Sequence, residues 1–375
     1  MISPFRQDRI ATARFMVVGC GALGNEVLKN LVLMGAEHLT VVDFDVVEVG
    51  NLSRSVLFRK EDAEQGLYKV DVVARRLKEM NPGIEVCTVR GDIAYDVGLG
   101  LFRETDVVIG CVDSRWARFW INRLCLRARI PWVDGGISVL EGTARVFVPG
   151  ENCYACNLGP DGRRELARRM PCAGMIRRSE EAGGAPTTSL SASVIGAVQV
   201  QEALKLLHPE ALSEGSLASL CGKMFYYEGE QLSMRMADFR AWDAECPEHE
   251  QWEPVRRSAI TVGMTVGESL AVLRKELQAK RICVHLTRDC FVEALVRRDN
   301  DARREVMLPG RAVAAWLEQD PEWRGIPLGG LYQQEYREMD ESFPYPELTL
   351  CGLGIPAREV LYVTADDKDY YIEIG

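Results

Sequence analysis

The chain has no apolar run long enough to span a bilayer, so the sequence predicts no transmembrane helix. Its N-terminus shows no basic-then-apolar leader with a cleavage site, which makes a cytoplasmic setting the expectation. Positive charge does not dominate: 45 Lys and Arg face 55 Asp and Glu, a formal net charge of −10. That balance argues against non-specific nucleic-acid binding. A disulfide framework is also missing. There are 12 cysteines, but without a secretory signal a reducing compartment is expected. Cys20, Cys87, Cys111 and Cys125 sit in apolar strand or helix patterns and read as small buried residues. The rest is ordinary for a globular protein: 47% apolar and 27% charged residues over 375 positions, enough for two domains.

The chain is organised around residues 15–27, FMVVGCGALGNEV. Residues 15–18 read as a buried strand, Gly19, Gly21 and Gly24 form a G-x-G-x-x-G turn, and Val27, Leu28, Leu31 and Val32 follow with helical spacing. Strand, glycine turn and helix open a doubly wound α/β domain, with free amides at Gly21, Ala22, Leu23 and Gly24 facing an anion. Such a turn can also serve only to pack helix on strand. A second strand, residues 38–42, ends in Asp43, where a ribose-binding acid belongs. After it come Asp45, Asn51, Arg54 and Lys69. A redox dinucleotide needs no such cluster beside its pyrophosphate. A nucleoside triphosphate does, because its phosphates need cations and amides and its magnesium needs carboxylates.

Further along, residues 61–80 read as a helix and 84–89 as a strand. Residues 106–112, DVVIGCV, form another buried strand ending in Asp113. Open α/β sheets put ligand residues at the carboxyl ends of strands, so Asp113 faces the crevice of the glycine turn; capping the next helix is its other, compatible role. Residues 130–134 and 143–148 complete the sheet, and 224–227 with 232–236 read as a closing strand pair. Cys153 and Cys156 form one pair, Cys246 and His249 a second with the same two-residue gap. Together they make a closed tetrahedral set for structural zinc (Zn2+). Between the pairs, residues 157–187 hold Cys172 amid Arg168, Arg169, Arg177 and Arg178, cations that favour a thiolate. A structural or spare thiol is the alternative.

The order G-x-G-x-x-G, D-x-D, N-L-x-R, G-x-x-K and a later Asp resembles the ubiquitin-activating enzymes and their bacterial relatives, the ThiF/MoeB/HesA group, over about residues 6–254. The resemblance implies a Rossmann-like adenylation domain, residues 1–255, that binds ATP and magnesium (Mg2+) and works as a homodimer. Asp43 would hold the ribose, Arg54 and Lys69 the phosphates, and Asp113 the magnesium. Arg6 and Arg9 have the spacing of a pair whose second member reaches the partner's ATP, although a surface arginine is the plain reading of either. Many relatives carry four cysteines at the zinc positions, where this chain has His249. Cys172 matches the position of a catalytic cysteine. Residues 256–375 read as strand, helix and returning strands, and resemble the β-grasp ubiquitin-fold domain that recruits a conjugating enzyme; a generic α+β appendage is the alternative.

The function so implied is activation of a ubiquitin-like protein by adenylation of its C-terminal glycine, thioester formation on Cys172 and transfer to a conjugating enzyme, in a bacterial ubiquitin-like conjugation system. The alternative is an adenylyltransferase that activates a sulfur-carrier protein for thiamine or molybdopterin biosynthesis. An inactive subunit would have lost the nucleotide residues, which this chain keeps.

Overall fold

Five short apolar segments pair in register to form the parallel heart of the fold. They are β1 (Arg14–Val18), β2 (His38–Val42), β3 (Glu85–Val89), β4 (Val107–Gly110) and β5 (Trp132–Ile137). Their order in the sheet is β3-β2-β1-β4-β5. Phe15 lies opposite Leu39 on one side and Val107 on the other. The structure is a computed structural model and describes residues 5–159, 162, 187–240 and 242–375. Cys172 and its flanking arginines lie outside the described residues. The described chain divides into two compact units: residues 5–93, 101–158, 187–240 and 242–251 form the first, and 94–100 with 252–375 belong to the second.

In the first unit the sheet does not stop at β6 (Glu141–Phe147). The hairpin β7 (Lys223–Glu228) and β8 (Ser233–Asp238) joins β6 antiparallel, giving eight strands in one sheet. Helices Ala22–Leu33, Lys69–Met80 and Arg115–Ala128 connect the parallel strands, as the right-handed crossover rule requires. Helix Ser189–Leu206 lies against helix Ala22–Leu33 at Gly196, where a Cβ would fall 2.9 Å from that of Glu26.

Two local expectations change. The helix over 61–80 is split into Lys60–Glu64 and Lys69–Met80, because Gly66 takes a positive φ of 59° and Val47 bonds Leu67 across the break. Cys87 is exposed on β3, at the edge of the sheet, whereas Cys20, Cys111 and Cys125 are buried. No described cysteine is in a disulfide, and no described helix is long and apolar enough to cross a membrane.

The second unit holds a five-stranded sheet ordered β14-β10-β15-β16-β9 and a three-stranded sheet ordered β12-β11-β13. The strands are β9 (Val255–Arg257), β10 (Ile282–His285), β11 (Phe291–Arg297), β12 (Arg303–Pro309), β13 (Leu331–Tyr336), β14 (Glu338–Met339), β15 (Val360–Ala365) and β16 (Lys368–Glu373). Its helix Val266–Leu277 begins with a capping box, Thr265 and Glu268 satisfying each other's amides. A single strand, β9, precedes the helix, and a turn after it carries Ile260 into the core. The two closing strands, β15 and β16, form a hairpin around Asp366 and Asp367, both at positive φ.

Candidate active site

The sheet order reverses direction between β1 and β4, so the loops leaving these two strands diverge and open a crevice. The glycine turn leaves β1 there. Gly19 donates to the Val42 carbonyl at the end of β2 (2.8 Å), while the Cys111 amide donates to Val18 (2.8 Å). Gly19 has φ +96°, and a Cβ on it would lie 2.5 Å from the Cys111 carbonyl oxygen. A Cβ on Gly24 would lie 1.9 Å from the carbonyl oxygen of Gly19. Both glycines are therefore demanded by backbone contact. Gly21 is different: open space surrounds its Cβ position, and it caps helix Ala22–Leu33 with no side chain on the first amides. Those amides, at Ala22 and Leu23, open a twelve-residue helix at the end whose dipole favours an anion.

Asp43 grips the turn. Its carboxylate accepts the Cys20 amide at 2.6 Å and the Asp45 amide at 2.8 Å. Burial pushes the Asp43 carboxyl upward, against the pull of Lys69 and the two amides. Lys69 is 8% exposed and reaches Asp45 at 2.7 Å, while its amide donates to the Asp45 carbonyl at 2.9 Å. Burial works against the Lys69 charge, but Asp43 and Asp45 more than offset it and raise its pKa, so the ammonium stays charged. Asn51 accepts the Glu48 amide (3.0 Å) and shapes the loop that carries Arg54. The Arg54 guanidinium has no side-chain partner among the described residues and is half-buried.

Asp113 is exposed, three residues beyond β4. The helix cap is taken by Ser114, whose hydroxyl accepts the Ala117 amide at 3.1 Å, so Asp113 does not serve as the cap. Its carboxylate has no hydrogen-bond or ion-pair partner among the described residues. It is a hard oxygen donor that suits a magnesium ion. Arg9 is held within its own chain, by Glu210 at 2.6 Å and the Leu207 carbonyl at 3.0 Å. Arg6 pairs with Asp8.

Three groups were invisible to motif reading. Asn25, fully buried, donates to the carbonyls of Cys20 (2.7 Å) and Gly21 (3.0 Å) and accepts the Leu57 amide (2.8 Å), tying the glycine turn to the Arg54 loop. A polar residue on the apolar face of the first helical turn was its signal. Asp134, also fully buried, takes Arg118 at 2.9 Å and Arg145 at 3.0 Å through Nε. Gln199 donates to the Gly110 carbonyl (2.9 Å), securing the end of β4 beneath Asp113.

Cys153, Cys156, Cys246 and His249 come together with their donor atoms all within 4.8 Å of one another. Cys153 Sγ lies 3.6 Å from Cys156 Sγ and 3.9 Å from Cys246 Sγ, and His249 Nε2 lies 3.2 Å from Cys156 Sγ. Ligands about 2.0–2.3 Å from a tetrahedral zinc stand about 3.4–3.8 Å apart, so these residues fit the ion. Burial pushes the Cys153 and Cys246 thiols upward, a cost that a cation would reverse. The knuckle docks on helix Arg115–Ala128 through Arg123 and Glu248, paired twice at 2.6 and 2.7 Å.

The ThiF family pattern matches residues 1–248. The SAMP-activating enzyme E1 of Haloferax volcanii is 30% identical over 66% of this chain and 83% of its own length. The sulfur carrier protein adenylyltransferase of Thermus thermophilus is 31% identical over 66% of this chain and 85% of its own. The match to SUMO-activating enzyme subunit 2 of Dictyostelium discoideum, 32% identical, covers 40% of this chain and only 22% of that protein. Among solved structures, E. coli MccB with ATP aligns at a TM-score of 0.51 and 21% identity, over 65% of this chain and 68% of MccB, which speaks to the fold alone. A glycine turn clamped between β2 and β4, its aspartate and paired lysine, and a family match over residues 1–248 lead to one assignment: this chain belongs to the ThiF family of E1-like adenylyltransferases.

Proposed function

We propose that this protein uses ATP to activate a ubiquitin-like protein and passes it on as a thioester. The observation that carries the reading is the charged Lys69 paired with Asp45 and drawn to Asp43, the aspartate that grips the glycine turn before the uncapped helix. A C-terminal glycine carboxylate of the cargo attacks the α-phosphate of ATP. The bond to the β-phosphate oxygen breaks, pyrophosphate leaves and an acyl-adenylate forms. Amides at Ala22 and Leu23, the Arg54 guanidinium and Lys69 neutralise the phosphate charge, and Asp43 orients the ribose. Magnesium, when bound, supplies further positive charge, and Asp113 would hold it. The Cys172 thiolate then attacks the acyl carbon, AMP leaves and a thioester remains. Arg9 would reach the nucleotide of a second copy in a homodimer by exchanging Glu210 for phosphate. Zinc on Cys153, Cys156, Cys246 and His249 would pin the loop after β6 to the chain after β8.

Residues 256–375 lie beyond the matched region, and the proposal assigns them the docking of a conjugating enzyme. The adenylation step is common to a second reading, activation of a sulfur carrier, the kind of protein named for the Thermus thermophilus relative as a SAMP is for the Haloferax volcanii one. The two part at the thioester. Cys172→Ala should keep ATP–pyrophosphate exchange and lose a thiol-sensitive adduct with the cargo on non-reducing gels. An adduct that persists in the variant rejects Cys172 and directs attention to half-buried Cys221.

A further inference from the structure

The second unit brings together three donors that the adenylation chemistry does not use. Cys283 and His285 stand two apart on β10 and so project from the same face. Glu338 on β14 is the register partner of His285. The donor atoms of Cys283, His285 and Glu338 all lie within 4.8 Å of one another. His285 Nδ1 is 3.4 Å from Glu338 Oε1. That is about the separation of a nitrogen and an oxygen each roughly 2.0–2.1 Å from one tetrahedral zinc.

The imidazole is also oriented for ligation. Its other nitrogen, Nε2, is 2.9 Å from the Thr364 hydroxyl, which in turn donates to Asp369 at 3.3 Å. The ring stacks on Tyr362, with centroids 4.7 Å apart. A histidine ligand is commonly fixed in this way, one nitrogen on a hydrogen-bond partner and the other turned to the metal. The charge around the thiol is negative, from Glu338 and Asp340, which leaves a cation as the natural third party. All three donors sit on paired strands, so the site is held by backbone ladders and not by a loop.

We infer that Cys283, His285 and Glu338 form a second, three-ligand site for a divalent transition ion of zinc type, with its fourth position open to water. Three protein donors and an open position distinguish it from the closed set at Cys153. Neither the family match, which ends at residue 248, nor the adenylation reading touches it.

The test uses full-length protein stripped with chelator and titrated with Co2+ alone. Wild type should bind one equivalent more than Cys283→Ser or His285→Ala, and each variant should lose one thiolate-to-cobalt charge-transfer contribution. Glu338→Gln should weaken this equivalent at least tenfold, and Thr364→Val should weaken it about tenfold without changing the stoichiometry. Peptide mapping reads the residue itself, whether or not the ligand variants alter stability. Zn2+ should slow alkylation of Cys283 at least tenfold in wild type and have no effect on it in His285→Ala. Equal equivalents in wild type and Cys283→Ser, or alkylation of Cys283 indifferent to Zn2+, would overturn the site.

Discussion

Asn25→Ala is the most direct probe of how the fold builds the nucleotide crevice. The alanine leaves the Leu57 amide without its acceptor and the Cys20 carbonyl without its donor; Gly21 keeps the bond to its carbonyl from the residue 25 amide, at 2.9 Å. Each orphaned buried group costs about 1–3 kcal/mol, which puts the loss of stability for the two at roughly 2–6 kcal/mol. For a unit of this size that is a fall in melting temperature of about 4–24 °C. Leu57 lies three residues past Arg54, so the loop carrying the guanidinium loses its tether to the glycine turn. ATP–pyrophosphate exchange, measured with the cargo protein present, should therefore drop about tenfold or more, equivalent to roughly 1.4 kcal/mol of transition-state stabilisation. Equilibrium urea unfolding reads the first effect and exchange the second. Asn25→Asp keeps an acceptor for Leu57 but sets a carboxylate against two carbonyls, and should be at least as damaging. A stability change under about 0.5 kcal/mol with wild-type exchange would refute the reasoning, and a neutral Asn25→Asp would refute its donor half.

Asp113→Ala should cut exchange by more than tenfold, roughly 1.4 kcal/mol, with little change in melting temperature, because the exposed carboxylate holds no internal bond. Wild-type exchange in this variant would remove Asp113 from the site. Purified protein should carry zinc bound by Cys153, Cys156, Cys246 and His249, and Cys246→Ser should lower both its zinc content and its melting temperature. Unchanged stability on loss of that zinc would deny the ion its structural role.

Local spacing by itself determined the opening strand, the glycine turn and the helix after it. Apolar runs, turn residues and helical periodicity act over a few positions, and the ends of β1 and β2 follow from them. The spacing also determined that Asp43 would stand at a strand end, and that two pairs with equal gaps could share an ion, whereas β4 stops at Gly110 and leaves Asp113 three residues beyond it. Other features were not legible, because they depend on partners far apart in the chain. Lys69 reads as a phosphate ligand in the motif, and only the folded loop shows that it rests on Asp45, 24 residues away. The helix expected over 61–80 breaks because tertiary pairing of Val47 with Leu67 outweighs helical propensity at Gly66. Arg9 is drawn to Glu210 across 201 positions. Asn25, Asp134 and Gln199 look like ordinary polar residues until burial leaves each with specific backbone or arginine partners. Cys283 and Glu338 lie 55 residues apart, and antiparallel register alone makes them neighbours. A motif records which groups a reaction needs. The long-range pairing of strands decides which other groups are buried beside them, where desolvation makes every unpaired donor costly.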